Sequence, residues 1–228
     1  MIKDPPVLTI RRDFPRPRPE TVKAFAGVPT GYVVDALGGR GGLDHRIKPL
    51  APQTAVLVGT AMTCHCGPAD NLALFGALAI AAPGDILVAA TDAFTATAVT
   101  GDLLLGMARN RGLLGLVTDG LVRDLTGILN VGLPVYCAGV TPNSPARGGP
   151  GTVGHPVIVG GVAVAPGDII VADNDGVVVV PQEKTETVVL KLPDIRAAEA
   201  ELDAKVKAGL DVPDFVRAIL DSDRIAES

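Results

Sequence analysis

The chain has 228 residues, enough to bury a full core, and a formal net charge of −5. Aromatic residues make up 3% of it and tryptophan is absent, so neither a basic face for a phosphate backbone nor a stacking surface for bases is present, and nucleic-acid binding is not expected. No apolar stretch approaches the roughly 20 residues of a membrane span, the N-terminus lacks the apolar run of a signal peptide, and three cysteines do not make a disulfide framework; the expected location is cytoplasmic.

In chain order, residues 1–18 are rich in proline and arginine and read as an extended arm, suited to lying on a neighbouring subunit. A short helix follows near Glu20–Gly27, and a second from Thr30, taken as its N-cap, to Leu37. Thr54–Cys66 alternates and is rich in β-formers, giving one or two strands. Asp70–Ala82 reads as a buried helix, Pro83-Gly84-Asp85 as a turn and Ile86–Ala90 as a strand. Helix Asp102–Arg111 comes next, then strand Leu113–Thr118, a turn at Asp119-Gly120, a helix from about Val122 to Leu129 and a strand Pro134–Val140. Thr141–Gly154 reads as a long loop, with the glycine run Gly148–Gly151 as a flexible part of it. Val157–Val164 and Ile169–Val180 are valine-dense strands with turns at Pro166-Gly167 and Asn174–Gly176. Glu183–Ala208 is a long polar helix, and Asp214–Leu220 a shorter one. The phrase APGD occurs at 82–85 and again at 165–168, each time before an apolar strand, which is reused turn chemistry. The expected fold is a single α/β domain over 19–228, with a mixed sheet layered with helices.

The chemistry concentrates in Gly101–Asp124. Asp102 opens a helix, and Arg123-Asp124 follows the next strand and turn. An Asp at a helix start also serves as a cap, and an adjacent Arg and Asp also form a solvated pair. The backbone N–H groups of Leu103 and Leu104 are free at the first turn and suit a carboxylate or phosphate. In a parallel α/β sheet, ligands bind at the carboxyl ends of strands. If both ends of the unit return to one sheet edge, two carboxylates and a guanidinium share a small anion-and-metal site. Cys64-His65-Cys66 has metal-binding residue types, but on a strand the two cysteines face one way and the histidine the other. No serine lies in a nucleophile elbow, and no glycine-rich nucleotide loop is present.

Asp102, twenty intervening residues and then Arg123-Asp124 resembles the signature of the RraA-like family of class II pyruvate aldolases and ribonuclease regulators. VPTGYVVDALGG (28–39), GPADNLALFGALAIAAPGDILV (67–88) and the strand-rich stretch 146–181 are similar to family segments, while TDAFTATAVT (91–100) stands where many members carry a glycine-rich loop. The resemblance implies a lyase that cleaves 4-hydroxy-4-methyl-2-oxoglutarate or 4-carboxy-4-hydroxy-2-oxoadipate to pyruvate, with oxaloacetate decarboxylase activity. It implies Mg2+ or Mn2+ on Asp124, with Asp102 holding a metal-bound water. Gly101, Asp102, Leu103 and Leu104 would receive the pyruvyl carboxylate, Arg123 would face the keto oxygen, and Asn71 would join the substrate wall. It also implies a homotrimer or hexamer in which Glu199, or else Glu201, of a neighbouring copy completes the site. The alternative it carries is a non-catalytic inhibitor of ribonuclease E.

Overall fold

The computed structural model describes residues 4 and 6–226. The first half comprises β1 (Leu8–Ile10), α1 (Pro19–Lys23), α2 (Thr30–Ala36), β2 (Lys48–Pro49), β3 (Leu57–His65), α3 (Leu72–Ile80), β4 (Asp85–Ala90) and β5 (Ala98–Thr100). Next come α4 (Asp102–Asn110), β6 (Gly115–Thr118), β7 (Leu121–Val122), α5 (Leu125–Val131), β8 (Val135–Cys137), β9 (Gly139–Val140) and β10 (Gly151–Val153). The chain ends with β11 (Val157–Val159), β12 (Val162–Val164), β13 (Ile169–Ala172), β14 (Val177–Val180), α6 (Thr185–Lys207) and α7 (Asp214–Leu220). This is the mixed α/β architecture with a long C-terminal helix that the sequence predicts.

The main sheet runs β1-β10-β3-β4-β6-β8-β2, with β13 and β14 attached to β3. β3, β4, β6 and β8 are mutually parallel, because helices α3 to α5 provide the crossovers. β3 is long enough to take two antiparallel partners along one edge: residues 57–60 pair with β13, and Cys64 and His65 pair with β10. Period-two alternation then sorts the side chains. Leu87, Ala89, Leu116 and Val135 face α3, α4 and α5, whereas Ile86, Val88, Val117 and Tyr136 face the β11–β12 side. Ile169, Val171, Val178 and Val180 pack beneath α1, α2 and α6. Cys64 and Cys66 share the helix-facing core, while His65 points away and meets Asp92 at 3.0 Å. Contact with Cys66 and burial both raise the Cys64 thiol's pKa, the reverse of what a thiolate ligand needs.

Several local expectations are corrected. Thr30 does not cap its own helix; its N–H and hydroxyl both donate to Asp173, at 2.9 and 2.8 Å. Val157–Val164 is a hairpin, not one strand. The 141–154 stretch contains β10, pinned between β1 and β3. Val122 is in a strand, and the following helix starts only at Leu125. Asp124 explains the delay: its backbone is left-handed (φ 60°, ψ 45°), which an α-helix cannot include.

The N-terminal arm lies on its own chain. Its first residues mostly fall outside the described ones, but β1 adds to β10 and Arg16 makes a forked pair with Asp85 at 2.5 and 2.9 Å. Asp85 closes the first APGD turn by accepting the Ala82 N–H, and Asp168 does the same for Ala165 in the second. Both turn carboxylates are buried, yet only Asp85 has a cation. Burial pushes the Asp168 carboxyl upward in pKa, although the Ala165 and Gln182 N–H groups oppose the shift.

Removing Arg16 leaves Asp85 buried with one donor. Because Arg16 is partly solvated, the pair is worth less than a fully buried one. Arg16→Ala should cost about 2 kcal/mol, seen as a Tm drop of roughly 4–8 °C by calorimetry. An unchanged Tm would show that the arm adds nothing to stability.

Candidate active site

The site is built by a second, smaller sheet that the sequence pattern does not reveal. β5, β7 and β9 pair side by side and parallel, with Ala98 opposite Leu121 and Thr100 opposite Val122. β5 runs into Gly101 and α4; β7 runs into Arg123, Asp124 and α5. Their carboxyl ends therefore emerge together, and the Arg123 N–H extends the ladder by donating to Thr100 O at 2.9 Å. The twenty residues between Asp102 and Arg123 are the length of α4, β6 and the turn back to β7.

Asp102 and Asp124 line one cleft of about 330 Å³, together with Asn71, Phe75, Gly101, Leu103, Leu104, Arg123, Ser144 and Arg147. All the candidate residues of this chain except Glu199 and Glu201 are thus brought together. Those two lie on the exposed distal half of α6 and line no part of the cleft in their own chain; Glu201 is paired with Lys205 at 2.6 Å.

The two helix starts fit each other through missing side chains. A Cβ on Gly101 would collide with Asp124 Oδ2 and crowd Arg123, and a Cβ on Gly127 of α5 would collide with the Asp102 carboxylate. Each glycine lets the carboxylate of the other helix lie against backbone. Arg123 Nε is 3.2 Å from Asp124 Oδ2, and its Nη1 donates to Ser144 Oγ at 2.5 Å. Both charged side chains stay partly exposed, 35% and 42%, so they remain reachable by a ligand. The first N–H of α4 with a helical partner is that of Leu105, to Gly101 O; those of Leu103 and Leu104 precede it at the cleft wall.

Two further details go beyond the sequence reading: a second guanidinium and the state of the Asn71 amide. Arg147 places a second guanidinium at the cleft, stacked 5.2 Å from the Phe75 ring centroid. Asn71 is 4% exposed; its Nδ2 donates to Val99 O at 3.0 Å, and its Oδ1 has no partner. A buried acceptor without a donor is costly unless a ligand supplies one. Nothing in a lone arginine distinguishes position 147 before the fold is known, and the unmet Oδ1 of Asn71 shows only once the chain is packed.

The donor chemistry suits a hard divalent cation. The cleft offers carboxylate oxygen and room for water, and among the described residues no group of three or more His, Cys, Asp or Glu is arranged to hold a metal. A cation that keeps most of its waters and takes one or two carboxylates fits this; zinc, which seeks four protein ligands in structural sites, does not. In a larger hollow of about 420 Å³, the charged lining residues Asp44, Arg46, Asp92 and Asp119 are already partnered. Asp44 is bound by Arg46, Asp92 by His65, and Asp119 accepts the Thr91 and Ala93 N–H groups.

Gly101→Ala is a sharp probe of this geometry. Its φ of −144° suits any residue, so the backbone tolerates alanine, but the new methyl displaces Asp124. The expected result is a loss of cleft-dependent ligand binding, about tenfold or more, with an unchanged circular dichroism spectrum. Wild-type binding would show that the carboxylate need not lie against Gly101.

A profile of the RraA-like family, described as Aldolase/RraA, matches residues 30–179. A protein of Halalkalibacterium halodurans, provisionally named a 4-hydroxy-4-methyl-2-oxoglutarate aldolase, is 36% identical over 200 residues, covering 88% of this chain and 93% of its own. Among solved structures, Streptomyces coelicolor RraAS2, titled an unusual member of the RNase ES inhibitor RraA protein family, superposes with a TM-score of 0.72 at 29% identity. That match covers 83% of this chain and all of the other. The RNA-processing inhibitor RraA from Thermus thermophilis gives 0.62 at 27%, covering 68% and 93%. On the strength of the profile match and the aldolase-named relative, the chain belongs to the RraA-like family.

Proposed function

We propose that the protein is a divalent-metal-dependent aldolase that releases pyruvate from a 4-hydroxy-2-oxo acid carrying a second carboxylate. The observation that supports this most is the meeting of Asp102, Arg123 and Asp124 in one cleft at a helix N-terminus. The substrate's 2-oxo carboxylate lies against the Leu103 and Leu104 N–H groups. Arg123 faces the keto oxygen, where negative charge grows as the C3–C4 bond breaks. Arg147 is matched to the distal carboxylate, and the orphaned Asn71 Oδ1 accepts a hydrogen bond from the water that takes up the C4 hydroxyl proton. The hydroxyl proton leaves through water to Asp102, C4 becomes a carbonyl, and the bonding electrons pass into pyruvate enolate, which takes a proton at C3. Mg2+ or Mn2+ held by Asp124, when bound, supplies Lewis-acid stabilisation of the keto oxygen and carboxylate. Loss of CO2 from oxaloacetate yields the same enolate, so the same cleft supports decarboxylation.

The distal half of α6, which carries Glu199, has no buried residue in its own chain. A homotrimer or hexamer that brings Glu199 to a neighbour's cleft accounts for that exposure. A second reading, inhibition of a ribonuclease by contact, draws on the names of the two solved relatives; it gives no reason for the acid–arginine–acid set.

The deciding experiment measures pyruvate from 4-hydroxy-4-methyl-2-oxoglutarate and from oxaloacetate, with Mg2+, with EDTA and against a metal-only blank. Metal-dependent release above the blank is expected, lost in Asp124→Asn, which keeps the left-handed backbone while removing the charge. No release from either substrate would move the weight to the ribonuclease reading. Arg123→Ala should lower kcat by about 100-fold or more with a smaller change in KM, since its target charge exists mainly in the transition state. An unchanged kcat would remove Arg123 from the chemistry.

A further inference from the structure

We propose that Asp70, outside the acid–arginine–acid set, is the positioning residue that fixes both arginines of the cleft by clamping the 144–149 segment to the start of α3. Asp70 is 9% exposed and does not itself line the cleft. One of its oxygens, Oδ1, accepts the Leu72 N–H at 2.8 Å, at the first turn of α3. The other, Oδ2, accepts the N–H groups of Gly148 and Gly149, at 2.6 and 3.0 Å. Backbone bonds reinforce the junction: Ala146 N–H to Ala69 O at 2.7 Å, and Asn71 N–H to Ala146 O at 3.1 Å. A single carboxylate therefore joins the helix that carries Asn71 and Phe75 to the segment that carries Ser144 and Arg147.

The consequence reaches both cations. Ser144 receives Arg123 Nη1, and Arg147 lies over Phe75. Without the clamp, the segment keeps only backbone ties at Ala146, and both guanidinium groups lose a fixed neighbour. Burial opposes ionisation of Asp70, yet the Leu72, Gly148, Gly149 and Asn71 N–H groups outweigh it and hold the carboxyl below its ordinary range. The clamp is thus charged and in place at neutral pH. An asparagine at 70 has one carbonyl oxygen, so its NH2 must face N–H donors on one side or the other.

The kinetic arm rests on the aldolase reading; the exchange arm does not. On the full chain, Asp70→Asn, the pair Ser144→Ala with Arg147→Ala, and all three together are assayed for kcat/KM on 4-hydroxy-4-methyl-2-oxoglutarate. Asp70→Asn is expected to lose about tenfold to 100-fold, and the triple variant should be no worse than the pair, because Asp70 acts through those two side chains. Losses that multiply would overturn the proposal. Amide hydrogen exchange is read on the same proteins. Gly148 and Gly149 should exchange at least tenfold faster in Asp70→Asn while the α4 amides keep their wild-type rates. Unchanged rates at Gly148 and Gly149 would overturn the clamp. If Asp70→Asn does not fold, Gly148→Pro deletes one donor from the segment side and leaves the Asp70–Leu72 bond; faster exchange at Gly149 is expected, and an unchanged rate sinks the proposal. An inactive wild-type protein would defeat the aldolase reading alone, since the exchange rates still decide the role of Asp70.

Discussion

The parallel pairing of β5 with β7 is the contact on which the site depends. Two short strands, joined by only a few ladder bonds, decide that the starts of α4 and α5 leave the same edge. Their weakness is offset by what lies behind them: Leu104, Leu105, Val122 and Ile128 are buried in one cluster with the main sheet. Burial of that cluster, not the few ladder bonds, carries the energy, and the pairing contributes direction. Once direction is set, Gly101 and Gly127 let the carboxylates of Asp124 and Asp102 approach backbone. The cleft is where two helix starts have been brought closer than side chains normally permit.

The central strands were legible because they are apolar and bounded by turn residues, and α4 because Asp102 opens an amphipathic run. The acid, twenty residues, then Arg-Asp was legible as spacing. The sheet that explains the spacing was not. β5, β7 and β9 have three, two and two residues, too few for an alternation of period two to show. Val122 therefore read as the start of a helix. Arg147 and Asn71 Oδ1 acquire meaning only from neighbours distant in sequence, Phe75 and Val99. Asp70 looked like the start of a buried helix; its second role required knowing that residues 148 and 149 return to it. The glycine-rich run at 148–151 suggested looseness, whereas its N–H groups are held.

The twin APGD turns show how one local device serves unlike ends. Each places an aspartate where it accepts the N–H three residues earlier and starts a buried strand. One carboxylate is neutralised by Arg16 from the N-terminal arm, and the other is left to backbone donors. The arm thus belongs to the stability of the first turn, and the exposed distal part of α6 is left as the segment that extends away from the body.

The left-handed backbone of Asp124 separates the fold from the charge of its cleft. Asparagine and glycine accept that conformation as readily as aspartate does, so a change of one side chain there removes a negative charge from the cleft without disturbing a strand or a helix. Two chains can superpose along their whole length and differ in the charge at that corner. The packed strands and helices set the overall shape, and the charge of the cleft can change beneath it one residue at a time.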